Sequence, residues 1–480
     1  MYEMKPVEIG PEQAKREREN RQKQSGGAKL NLLKDFTKEE KSWMLYDWAN
    51  SAHSVIVVTI LPIFFNTVAS YTKDAVSSMS AWGYATSLAM AIVALAAPVL
   101  GAFGDFAGLR KKLFGVFLAL GCLSCLLLGA TPLSDFTDPA LADKMAGIIL
   151  GLYILSTVGF AGANLYYDSF LSDVTTDERM DRVSTMGYGL GYLGGSTIPL
   201  LIFLVMNGVG VPMLTCLAFI FAFTGLWWLA FSLPFLKNVR QKGGKPFCRG
   251  AAGRALRGLG RTMKEIWHNK EMLVFLLAYF FYIDGVNTVI HMSTTYGDMV
   301  GLGTTDMMLA LLMVQVLGLP FCLLYIRLSA RFGARAMVGV GICVYVITCV
   351  VGFFMRSAWQ FWLLAFLVST SQGGIQALSR SMFGRLIPDK GRSAEFFGFY
   401  DIFGKFSAII GPALVGVISA AAAEQILAGQ GLTAATATAA QIEAVNAQAA
   451  PLGMLGILLI FALGGGLYFF VLPRVSRKSR

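Results

Sequence analysis

Charge is scarce in this chain. Asp, Glu, Lys and Arg make up 14% of its 480 residues, against about 25% in an ordinary soluble protein. With hydrophobic residues at 55%, that shortage excludes a water-soluble globule and points to a bilayer. Nucleotide-binding sequence is missing as well. No GxxxxGK[ST] run occurs, so direct drive by ATP is not expected. Clustered cysteine is also lacking. The seven cysteines stand at 122, 125, 216, 248, 322, 343 and 349, and all but Cys248 lie in apolar runs that call for small packing residues. Cys122-Leu-Ser-Cys125 has metal or redox spacing but no second ligand pair, so no metal, no cofactor and no enzyme activity is expected. The start of the chain is polar and of mixed charge, which does not read as a signal peptide.

What is present in abundance is apolar sequence. Runs near the ~20 residues that cross a hydrocarbon core fall at roughly 43–69, 81–104, 112–130, 145–166, 183–206 and 211–235. A second set falls near 271–295, 305–327, 336–355, 359–380, 396–420 and 451–473. The expected fold is an all-α membrane protein with twelve transmembrane helices in two six-helix halves, 43–236 and 271–473. A polar tail covers 1–42, a basic linker 237–270 and a basic tail 474–480. The first tail is expected to be disordered up to about Asn31, and Thr37-Lys-Glu-Glu40 is a capping box that starts the first helix.

The bases test this map independently. Of 40 Lys and Arg, 36 fall in the tails and alternate loops on one side of the membrane, and only Lys73, Lys144 and Arg356 fall in loops on the other. By the positive-inside rule, both ends and the linker are expected in the cytoplasm of a cell whose inner membrane holds the protein. The net charge of +11 therefore reflects topology, and no interleaved aromatic and basic surface suggests nucleic acid. The Ala-rich stretch 420–450 carries no base and is expected outside, partly as helical extensions of its neighbours.

One stretch organises the rest. Ala278 to Thr295 is apolar, yet Asp284, Asn287, Thr288, His291 and Thr295 fall on one side of a helix at about 100° per residue. Such groups face a water-filled cavity or a polar partner, so a transport site and a structural polar cluster both remain open. Asp47-Trp-Ala-Asn50-Ser51 repeats the spacing of Asp284-Gly-Val-Asn287-Thr288. Asn164-x3-Asp168 likewise matches Gln376-x3-Arg380, and Gly104-Asp105-x-x-Gly108-x-Arg110 matches Ser329-Ala330-x-x-Gly333-x-Arg335. All three pairs occupy equivalent helices of two parallel halves.

These residues carry a resemblance. Gly101 to Lys112, GAFGDFAGLRKK, resembles the loop between helices two and three of the major facilitator superfamily. WMLYDWANSAHSVIVVTILPIFF from Trp43, YFFYIDGVNTVI from Tyr279, GGIQALSRSMFGRLIP and EFFGFYDIFGKFSAIIGP resemble its "unknown major facilitator" group, relatives of the fungal autophagy-related vacuolar amino-acid effluxer. The resemblance runs from Trp43 to Pro412 and implies an alternating-access transporter of a small-molecule solute. For the fungal branch it implies export of neutral amino acids. Ala330 departs from the pattern, since an acid is expected there, and the position of His53 is more often apolar in the group.

The substrate and proton site is accordingly expected among Asp47, Asn50, Ser51, His53, Asp284, Asn287, Thr288, His291, Gln376, Asp401 and Lys405. Lys405 either pairs with Asp401 one turn away or faces the solute. The gate on the basic side is expected from Asp105, Gly108, Arg110, Asp168, Arg335 and Arg380. Protons are the candidate coupling ion, with Asp284 near mid-bilayer as their carrier, and the protein is expected to act as a monomer. Gly189-Leu-Gly191-Tyr-Leu-Gly194 lacks the strand a dinucleotide fingerprint needs and reads as a smooth helix-packing face. Two other readings stay open: a membrane receptor on a transporter scaffold, and a lipid-translocating major facilitator.

Overall fold

The computed structural model describes residues 34–73, 75–246, 251–299, 304–355, 357–433 and 436–478. The tail up to Asn31 and Cys248 lie outside the described residues. Among the described residues, twelve helices are long and apolar enough to cross a bilayer. In the first half these are α1 (Lys38–Ala69), α2 (Ser80–Gly104), α3 (Leu109–Leu133), α4 (Pro139–Val174), α5 (Met180–Gly208) and α6 (Met213–Asn238). In the second they are α7 (Lys270–Ser293), α8 (Leu309–Phe332), α9 (Ala334–Phe353), α10 (Trp359–Leu386), α11 (Lys390–Gly429) and α12 (Ala440–Ser476). Helix is the form that lets a spanning backbone satisfy its own polar groups in lipid.

Local sequence sets the ends. Thr37 accepts from the Glu40 amide and the Glu40 carboxylate accepts from the Thr37 amide, closing the capping box that opens α1. Gly108 takes φ 73° at the start of α3, a left-handed backbone that suits a residue without Cβ. The Ala-rich stretch is largely helical: α11 runs to Gly429, and the helix leading into α12 starts at Ala439, capped by Thr438 and Gln441. The linker carries a further helix, Ala251–His268, where sequence reading found only charge.

Each half has its own core. Trp43, Phe114, Tyr166 and Trp228 are among the fully buried side chains of the first half, and Phe275, Tyr345, Ile375 and Phe461 among those of the second. The halves meet where α2 packs on α11 and where α5 packs on α8 and α10. Gly191, Gly194 and Gly195 let α5 close on α1, and a Cβ on Gly191 would stand 2.6 Å from Ser51 Oγ. The GxGxxG run is thus a packing face inside a membrane helix.

Candidate functional site

A polar cavity of about 300 Å³ lies between the halves. α1 contributes Asp47, Asn50, Ser51 and Ser54; α4 contributes Phe160, Asn164, Tyr167 and Asp168. From the second half come Asn287 of α7, Gln376 and Arg380 of α10, and Tyr400, Asp401 and Lys405 of α11. The helical period explains the α1 set: positions 47, 50, 51 and 54 share one face.

Arg380 is the centre of its charge. Its side chain is 3% exposed and reaches from α10 into the other half. One Nη donates to Asp168 at 2.9 Å and the other to Asp47 at 3.2 Å, while Nε donates to Ser184 Oγ at 2.9 Å. The guanidinium also lies 4.6 Å from the Trp43 ring centroid and 4.5 Å from that of Tyr188. A planar fork can hold two carboxylates and a hydroxyl at once while stacking on aromatic faces, which an ammonium cannot do. Opposite it, the Lys405 ammonium stands 3.9 Å from Asp401, longer than a hydrogen bond, and both side chains keep partial exposure to the cavity. Asp401 Oδ2 is buried without a hydrogen-bond partner among the described residues. Both readings of Lys405 therefore hold together: it pairs within its helix, loosely, and it faces the cavity. Asn50 donates to Asn164 at 2.8 Å, and Tyr279 stacks on Tyr400 with ring centroids 4.3 Å apart.

Several expected site residues lie elsewhere. Asp284 is fully buried and turned toward α11, where its Oδ1 accepts the Gly411 amide at 2.9 Å. Thr288, also buried, lines a separate apolar cavity of about 100 Å³ inside the second half. His53 is buried between Phe160 and Trp228, and neither ring nitrogen has a hydrogen-bond partner among the described residues. His291 is exposed and does not line the polar cavity. Of the α7 residues put forward, Asn287 alone reaches that cavity. Asp284 and Asn287 point about 60° apart on a helical wheel, so one can meet solvent while the other meets a neighbouring helix. Asp168 and Arg380, expected at the gate, line the cavity and join the halves there.

Residues expected at the gate gather around a helix end. Asp105, 1% exposed, pairs with Arg110 at 2.9 Å and accepts the amides of Ala394 and Glu395 at 2.9 and 3.0 Å. Those amides belong to the first turn of the helix Ser393–Gly429, whose leading N–H groups have no intrahelical acceptor and attract an anion. Arg110 also pairs with Asp173 at 2.7 Å, and Ser393 Oγ donates to the Ser169 carbonyl at 3.0 Å. Gly108 donates its amide to Gln241 of the linker, and Lys245 binds the loop through backbone bonds to Asp105 and Ala107. Further bridges between halves join Arg385 to Asp181 at 2.6 Å and Lys390 to Asp177 at 3.2 Å. Arg335 takes no part, because Ala330 offers it no carboxylate; its carbonyl accepts from Tyr468, and its Nη2 has no partner among the described residues. The contact is one-sided: its anion lies just past the end of α2 and its amides belong to α11.

Sequence reading missed the amide partners of Asp105, the Asp173 pair and the aromatic bed of Arg380. The match of Asn164 with Gln376 was visible in the repeat, and both line the cavity, although of the two only Gln376 was put forward for the site.

Comparison with known proteins bears on the family and the fold. The family model described as "Vacuole effluxer Atg22 like" matches residues 36–428. The chain belongs to that family. It is 42% identical over 394 residues to the uncharacterized MFS-type transporter YxiO of Bacillus subtilis, covering 80% of this chain and 89% of that one. To autophagy-related protein 22-1 of Penicillium rubens it is 28% identical over 263 residues, half of this chain and 44% of the fungal protein. Among solved structures, the human organic anion transporter MFSD10 aligns with TM-score 0.64 at 13% identity, covering 90% of this chain and 99% of its own. The outward conformation of FucP gives 0.62 at 13% identity, covering 91% and 98%. These likenesses show the major facilitator fold. This Atg22-like chain is thus a multi-pass membrane protein of a transporter family.

Proposed function

We propose that this protein exports a small zwitterionic solute, a neutral amino acid, by alternating access, with the linker side facing the cytoplasm of a cell membrane. The carrying observation is a cavity that carries both signs of charge, with one pair, Lys405 and Asp401, only loosely joined. Lys405 is loosely tethered and can release Asp401 for a solute carboxylate; Asp401 and the partly exposed Asp168 can accept an ammonium. Asn50, Asn164 and Gln376 supply neutral hydrogen bonds, and the Tyr279–Tyr400 stack supplies an apolar wall. A sugar has no charge with which to compete for the loose Lys405–Asp401 pair, and a lipid would need a side opening between halves that pack at α2–α11 and at α5–α8. The hydrogen bonds and ion pairs across the gate lie on the linker side of the cavity, so the solute in this state would exchange with the far side.

The test is exchange of labelled leucine, glucose and uridine in proteoliposomes. Leucine exchange that Lys405→Ala lowers at least tenfold, with thermal stability within a few degrees of wild type, is the expected result. Exchange of glucose or uridine but not leucine would overturn the reading. Proton coupling is tested in the same vesicles: export driven by proton entry is antiport, so an acidic vesicle lumen is expected to drive leucine accumulation.

A further inference from the structure

The linker helix Ala251–His268 is tied to the gate. Thr262, fully buried, donates to Glu395 at 2.5 Å, and Glu265 pairs with Arg392 at 2.7 Å. Ile266 is 2% exposed and packs in the core of the second half. On an adjoining flank Met263 and Trp267 are 47% and 67% exposed. Beyond them runs a basic stripe: Arg257, Arg261, Lys264 and His268 recur at intervals of four, three and four. Arg257, Arg261 and Lys264 are exposed and form no ion pair among the described residues. Trp267 stands three residues before Lys270, where the apolar span α7 begins.

We infer that this helix is a docking surface for anionic lipid headgroups, and that such lipids restrain the gate. A Trp and a Met beside a cationic stripe suit a helix lying in the interface, with the apolar pair at the acyl boundary and the bases on phosphates. The occupant is a lipid because charge and position agree: the stripe is positive and its apolar flank sits where a span enters the bilayer. Lipid bound there holds Thr262 and Glu265 in place. Through Glu395 and Arg392 they hold the first turn of the α11 helix, the same turn whose amides Asp105 accepts. Each base near an anionic surface contributes about fivefold to the attraction, so removing three shifts the helix's partition by about a hundredfold.

The experiment places a spin label at position 267 of the full chain in nanodiscs of pure phosphatidylcholine or of phosphatidylcholine with phosphatidylglycerol. Collision with oxygen and with an aqueous nickel chelate reports depth. Phosphatidylglycerol is expected to move the label from aqueous to interfacial depth, and the triple variant Arg257→Gln, Arg261→Gln, Lys264→Gln is expected to abolish the shift. A second label at Lys112 reports on the gate loop, and its mobility is expected to fall with phosphatidylglycerol in the wild type only. Equal depth in both lipids, or a shift retained by the triple variant, would overturn the inference. So would an unchanged Lys112 mobility, as far as coupling to the gate is concerned.

Discussion

Replacing Asp105 with Asn tests the gate directly. The carboxylate accepts three donors: the Arg110 guanidinium and the amides of Ala394 and Glu395. Two of these cross between the halves. An Asn side chain offers a single acceptor oxygen, and its amide nitrogen would face one of the two backbone N–H groups. At least one charge-assisted bond between halves is lost, worth about 1.5–3 kcal/mol. That corresponds to a closed-to-open ratio on the linker side lowered by about tenfold to a hundredfold. Arg110 keeps Asp173, so the first half is expected to stay folded. The measurement is the distance distribution between spin labels at positions 112 and 331, in a background whose seven cysteines are replaced. Wild type is expected to populate the short distance and Asp105→Asn a longer one, with solute affinity in the cavity unchanged. A distribution identical to wild type would mean that Asp105 does not hold the halves together.

Two further substitutions probe the same interface. Gly101→Ala places a Cβ against the Ala394 carbonyl, a backbone group that cannot rotate away, so the linker side is expected to open although no hydrogen-bonding group has been removed; accessibility of a cysteine at Ser393 to a water-soluble maleimide checks it. Arg380→Lys keeps the charge but cannot reach Asp47, Asp168 and Ser184 together, and breaking such a buried pair costs about 3–5 kcal/mol; a fall in thermal stability together with loss of solute exchange is expected, and wild-type behaviour in both would refute the bridging role.

The spans were legible because lipid allows only continuous apolar helices, and the bases marked their ends. The repeat was informative for a related reason: Asp168 and Arg380 occupy equivalent places in the two halves and so meet across the axis between them. What sequence could not carry was partnership with backbone. The Ala394 and Glu395 amides that hold Asp105 have no side-chain signature, and they lie almost 290 residues away along the chain. The linker helix was hidden for another reason: its apolar residues are few and separated by glycines, so charge dominated its reading.

Asp284 shows how a shared spacing can mislead. Asp47 and Asp284 begin the same pattern, yet Asp47 meets Arg380 in the cavity and Asp284 meets the Gly411 amide of α11. The reason lies in α11. Pro412 has no N–H and its ring crowds the carbonyl one turn back, so the helical ladder is weakened beside Gly411. Gly411 itself leaves room for the acid, since a Cβ there would overlap Thr288 Oγ1 and come within 2.7 Å of Asp284 Oδ1. Asp284 therefore serves as an acceptor beside Pro412 of α11, and under the proposed proton coupling the carboxylates that line the cavity are the better candidates for carrier. Asp284→Asn keeps an acceptor for Gly411 and is expected to retain proton-driven accumulation. Asp284→Leu strands a buried amide, costing about 1–3 kcal/mol, and is expected to lower the unfolding temperature by several degrees. Measuring both variants in parallel separates the roles. Loss of accumulation in Asp284→Asn, with its unfolding temperature and its solute exchange unchanged, would return the proton to Asp284 and refute the structural assignment.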